Sequence, residues 1–86
     1  MRLRVAYGHV IRIIRQKNNL SLREVSAKTG ISISHLSEFE RGQNEISSEL
    51  FEDLCKGMGA KQSEILLEAY RIIARGENKN EPKATA

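Results

Sequence analysis

With 86 residues, a net charge of +3 and 40% hydrophobic side chains, the chain has material for one small domain. Cys55 is alone, which excludes a disulfide framework and a CxxC metal pair, and His9 and His35 have no ligand-like spacing, so neither metal nor cofactor is expected. No apolar run approaches the roughly 20 residues of a membrane span and no signal-peptide core is present, so a reduced, cytoplasmic protein is expected.

The charge is uneven. Residues 1–23 hold Arg2, Arg4, Arg12, Arg15, Lys17 and Arg23 without an acid, whereas residues 24–64 carry four basic and eight acidic side chains. A basic N-terminal third suggests an anionic partner met on one face, with ordinary surface charge as the plainer alternative.

Residues 1–7 read as a basic N-terminal segment. From residue 8 the pattern is helical throughout, with no strand alternation. VIRIIRQKNN (10–19) places Val10, Ile11, Ile13 and Ile14 at helical spacing, and Asn18-Asn19 breaks it. Ser21 and Glu24, three apart, form a capping box for SLREVSAKTG, which Gly30 stops with a left-handed residue. Ser32 caps a third helix running to about Arg41, with Gly42 as its stop. Ser47 or Ser48 caps a fourth, ELFEDLCKGMG, ended by Gly57 and Gly59. A fifth spans about 62–75 and ends at Gly76, and the polar tail 76–86, down to its ragged Ala84-Thr85-Ala86 end, is expected to be flexible. Five short helices in residues 8–75 make an all-α domain.

The second and third helices are separated by too few residues to reverse the chain, so they must cross steeply as a helix-turn-helix over about residues 21–41. Such a crossing needs a small residue on the first helix, and Ser26 is there. It needs a turn residue tolerant of positive φ, and Gly30 is there. It also needs an apolar anchor for the second helix, which Ile31, Leu36 and Phe39 supply. On a wheel of about 100° per residue, Ile33, Leu36, Phe39 and Glu40 share one arc, while Ser34, Ser37, Glu38 and Arg41 share the opposite one. A carboxylate in the buried arc is costly without a partner, so Glu40 is expected to pair with Arg15 in a structural ion pair.

The segments GHVIRIIRQKNNLSLREVSAKTGIS and SHLSEFERG, followed by a helix ending in MG, resemble the Cro/cI-type (XRE) helix-turn-helix regulators over about residues 8–70. The stretch HLSEFERGQNEISSELFEDLC is similar to one subgroup, the actinobacterial regulators of clp protease genes. The resemblance implies a lambda-repressor-like fold that binds double-stranded DNA. It implies base contacts from Ser32, Ile33, Ser34 and Glu38, with His35 beside them, and phosphate contacts from Arg23, Arg41, Gln43 and Asn44. Serine donates or accepts, a glutamate accepts from the cytosine amino group and isoleucine touches a thymine methyl. Glu38 as a merely solvated residue and His35 as plain surface are the competing readings. Two departures stand out: Leu22 replaces a common polar residue, and Ser47 replaces a common proline.

On the fifth helix, Ile65, Leu66, Ala69, Ile72 and Ile73 form a stripe that closes the core. Leu67, Tyr70 and Ala74 form a second stripe, expected to be the interface of a homodimer, unless the segment around Leu3, Val5 and Tyr7 covers it. The subgroup implies an activator of protease and stress genes that touches RNA polymerase through Glu45, Glu49, Glu52 and Asp53. The alternatives are a repressor of phage or plasmid type and an antitoxin-like module that binds a partner protein. No nucleophile, paired-carboxylate or phosphate-loop constellation can be assembled, so the chain is not read as an enzyme.

Overall fold

The structure, a computed structural model, describes residues 2–80. Five helices follow in chain order: α1 (Leu3–Lys17), α2 (Leu22–Thr29), α3 (Ile33–Glu40), α4 (Ser48–Met58) and α5 (Gln62–Asn80). Among the described residues there is no strand. Three N-termini carry the serine caps their sequences announce: Ser21, Ser32 and Ser47 accept from the backbone N–H of Glu24, His35 and Leu50.

The ends of the chain depart from expectation. Helix α1 begins at Leu3, so residues 3–7 of the supposed N-terminal segment are its first turns. Leu3, Ala6, Tyr7 and Val10 recur at helical spacing; Ala6 is wholly buried, and the Tyr7 ring lies 5.6 Å from that of Phe51. Arg2 at the N-cap makes no side-chain cap, so this start lacks the local punctuation of the others. At the other end α5 runs through Gly76 to Asn80. Gly76 keeps a helical backbone, and a glycine inside a helix costs about 1 kcal/mol relative to alanine without ending it. Residues 81–86, the rest of the expected tail, lie outside the described residues. Gly57 lies within α4 and packs on Thr29, and Gly59 alone ends that helix with φ 69°.

Helix α1 lies against α5 and α3, and α2 lies against α4 and α3. The largest fully buried side chains are Ile11, Val25, Leu36, Leu54 and Ile65, one from each helix. Each contributes about 1.5–3 kcal/mol by leaving water, and no helix can detach without re-exposing its own. Cys55 belongs to this core, and burial pushes its thiol above the ordinary value, away from reactivity. Gly8 sets the depth of the α1–α3 contact: a Cβ there would sit 2.2 Å from the carbonyl oxygen of Phe39. The C-terminus of α3 thus rests directly on the α1 backbone.

Candidate nucleic-acid interface

Helices α2 and α3 are joined by a turn whose polar groups are satisfied locally. The Ser21 N–H donates to Glu24 at 2.8 Å while the Glu24 N–H donates to Ser21 Oγ at 3.0 Å. The bond from the Ser21 backbone, followed by that with its side chain, holds the Glu24 carboxyl below its ordinary value. Gly30 takes φ 79° and its N–H donates to the Ser26 carbonyl at 2.8 Å. Thr29 Oγ1 donates to the Val25 carbonyl and accepts from the Ile31 N–H, closing the corner. Buried Val25, Ile31 and Leu36 pin the two helices together. Leu22, the apolar departure at the start of α2, is half-buried and packs on this core.

The outer face of α3 carries the residues expected to read bases. Ser32, Ile33, Ser34 and His35 are exposed. Ile33 leaves the buried arc assigned to it: it is 42% exposed, whereas Leu36 and Phe39 are buried. Ser32 Oγ accepts from the His35 N–H at 3.1 Å, which leaves its own hydroxyl proton to donate elsewhere. The His35 ring stacks 4.7 Å from that of Phe39, one turn on. Glu38 is half-buried and accepts from Asn44 Nδ2 at 2.5 Å. Arg41 donates to Ser37 Oγ at 2.5 Å and to Gln43 Oε1 at 3.1 Å. Arg23 is exposed in the first turn of α2. The C-terminal half of α3 and the loop after it are thus joined by two sets of side-chain bonds, Glu38 with Asn44 and Arg41 with Ser37 and Gln43, a linkage with no signature in the sequence.

Behind that surface Arg15 Nε donates to Glu40 Oε2 at 2.6 Å and Arg15 Nη2 to Oε1 at 3.0 Å. Arg15 Nη1 donates to the Leu20 carbonyl at 2.8 Å, so one guanidinium ties α1, α3 and the α1–α2 turn. The Glu40 hydrogen bond raises the Arg15 pKa against the opposing effect of burial, and the arginine stays charged. Sequence reasoning missed two further ties: Asn18 Nδ2 donates to the Met58 carbonyl at 2.9 Å, and Arg4 pairs with Glu45 at 3.8 Å. Arg4 and Arg15 are therefore engaged within the protein, and the basic N-terminal third contributes less to an outer field than its count implies.

On α5, Ile65 and Ala69 are buried and Ile72 and Ile73 pack on the core. Leu66 is instead 45% exposed, because it lies about 100° round the helix from Ile65, and it joins the outer face. Leu67 and Tyr70, at 48% and 66%, are exposed there too, and Ala74 is half-buried. Leu3 and Val5 are themselves exposed and Tyr7 faces Phe51, so the first turns of α1 do not cover that stripe. Among the described residues no group of three or more His, Cys, Asp or Glu is placed to hold a metal ion, and no helix is long and apolar enough to cross a membrane.

Comparison with known proteins agrees with this geometry. The chain matches the Helix-turn-helix family over residues 11–65. It is 39% identical over 75 residues to the transcriptional regulator ClgR of Mycobacterium tuberculosis, covering 87% of this chain and 67% of that one. It superposes on a crystal structure of the clp gene regulator ClgR from Corynebacterium glutamicum with a TM-score of 0.87 at 35% identity, over 92% of this chain and 84% of that one. The restriction-modification controller protein C.Esp1396I, 18% identical, shares the fold with a TM-score of 0.77, over 85% of this chain and 94% of that one. The chain therefore belongs to the XRE-type helix-turn-helix family and is a DNA-binding transcriptional regulator of that type, similar to the clp gene regulators.

Proposed function

We propose that the chain acts as a homodimer that reads a palindromic operator and activates clp protease and stress genes. The observation that carries this reading is the outer face of α3, where Ile33 and Ser34 are exposed beside the half-buried Glu38 on a rigidly capped helix-turn-helix. In the major groove Ser34 donates or accepts, Glu38 accepts from a cytosine amino group and Ile33 meets a thymine methyl, with Ser32 and His35 at the edge. Arg23, Arg41 and Gln43 flank that face and hold phosphates, aided by the N–H groups at the start of α2.

Dimerisation follows from the outer stripe of α5. Leu67, Tyr70 and Ala74, now with Leu66, offer an apolar face that a second copy covers, setting two α3 helices about 34 Å apart for successive half-sites. The exposed acids Glu45, Glu49, Glu52 and Asp53 are the surface offered to RNA polymerase. Similarity to the clp gene regulators supports the choice of target genes. The protein works in the cytoplasm, without cofactor and without catalysing a reaction.

The test is selection of bound sequences from random duplex DNA, followed by salt titration of the enriched sites. A palindromic motif with half-sites one turn apart supports the reading. Weak, salt-sensitive binding without enrichment rejects it and favours a protein partner for α3.

A further inference from the structure

Asn44 lies six residues beyond Glu38 and outside α3, yet its side chain donates to the Glu38 carboxylate at 2.5 Å. The loop that brings it there is firmly held. The Gln43 N–H donates to the Glu38 carbonyl at 2.9 Å and the Gly42 N–H to the Phe39 carbonyl at 3.0 Å. Gly42, at φ 71°, sits so close to α1 that a Cβ would lie 2.9 Å from the Val5 Cα. On the far side of Asn44, Glu45 pairs with Arg4 and Ile46 packs on the core.

The chemistry of the partner matters. A lysine or arginine against Glu38 would neutralise it, and a solvated glutamate would sample several rotamers. A neutral amide does neither: it fixes the carboxylate and leaves its charge intact. With Oε1 occupied by Asn44, Oε2 remains an acceptor directed by the loop. We propose that Asn44 is a positioning residue for Glu38 and thereby a determinant of base specificity, rather than a phosphate contact. This rests on the reading above, in which Glu38 meets base edges. A carboxylate fixed in this way selects the amino group of cytosine and repels the acceptor oxygens that thymine and guanine present in the same groove.

The experiment uses the full chain and two duplexes: the selected operator, and the same operator with the base pair exchanged at the position whose preference Glu38→Ala erases. For Asn44→Ala the ratio of the two Kd values is expected to fall about fivefold or more, through weaker binding to the selected duplex, with the salt slope unchanged. In the Glu38→Ala background the same substitution is expected to leave the ratio within about twofold, because the two side chains act as a unit. Asn44→Asp, which sets a second carboxylate against Glu38, is expected to lose discrimination as well. Equal weakening on both duplexes with a shallower salt slope would make Asn44 a phosphate contact and overturn the inference. If Glu38→Ala erases no preference at any position, base reading by Glu38 fails and the inference falls with it, whereas absence of any selected operator rejects the function itself.

Discussion

Arg15→Ala is the sharpest test of how α1 and α3 are joined. The substitution removes both donors from Glu40, whose side chain is 7% exposed, and the Nη1 donor from the Leu20 carbonyl. Breaking a buried pair from one side costs about 3–5 kcal/mol, and the space left by the arginine admits water, which places the cost near the lower figure, ~3 kcal/mol. A domain of this size has about 5–15 kcal/mol in all and shifts in Tm by about 4–8 °C per kcal/mol, so melting should fall by roughly 12–24 °C. Glu40→Gln keeps an acceptor for one arm of the fork and should lose about half as much. Replacing both partners, Arg15→Met with Glu40→Leu, should return stability to within about 1–2 kcal/mol of the parent, because no charge is stranded. Thermal and urea melts at pH 7 measure all three. A Tm for Arg15→Ala within about 3 °C of the parent, or a double variant as unstable as the two single changes combined, would refute this account of the junction.

Other expectations concern the surface. Ser34→Ala and Glu38→Ala should each relax base preference at one position by about 1–3 kcal/mol with Tm unchanged, read by competition between single-base variants of the operator. Arg23→Ala should weaken binding to every sequence alike and lower the salt slope by about one unit in a titration of log Kd against log salt. Leu67→Glu should give monomers by light scattering, and a persisting dimer would place the interface elsewhere. The Glu24 carboxyl is held below its ordinary 4.5, so its contribution is complete above that value and lost as pH falls through the depressed native one. Glu24→Gln keeps an acceptor for the Ser21 N–H but cannot titrate, so the acid limb of its stability profile should be flatter than the parent's.

The helices that were legible from the sequence are those whose boundaries are local chemistry. Ser21 with Glu24, Ser32 and Ser47 are caps whose acceptor and donor lie three residues apart, and Gly30 and Gly59 end helices through their own backbone angles. The exposed face of α3 was legible for the same reason, since helical spacing alone brings Ser34, Glu38 and Arg41 round to one side. Where a boundary has no such device the reading failed. α1 starts at Leu3 because Ala6 and Tyr7 have a core to pack on, and α5 continues through Gly76 because a glycine permits a turn without requiring one.

The Arg15–Glu40 expectation came from a conflict internal to the sequence, a carboxylate on a buried arc beside an unclaimed arginine. The other ties had no such cue. That Gly8 rests on the Phe39 carbonyl, that Asn18 reaches Met58, and that Asn44 turns back onto Glu38 depend on where separate segments meet in space. The five helices, the steep α2–α3 crossing and the polar face it presents are written in local residue patterns, because they follow from spacings of three and four and from a short connection. Which of those polar groups are already engaged with one another emerges from the folded molecule, because it depends on how the loop after α3 turns back onto the helix.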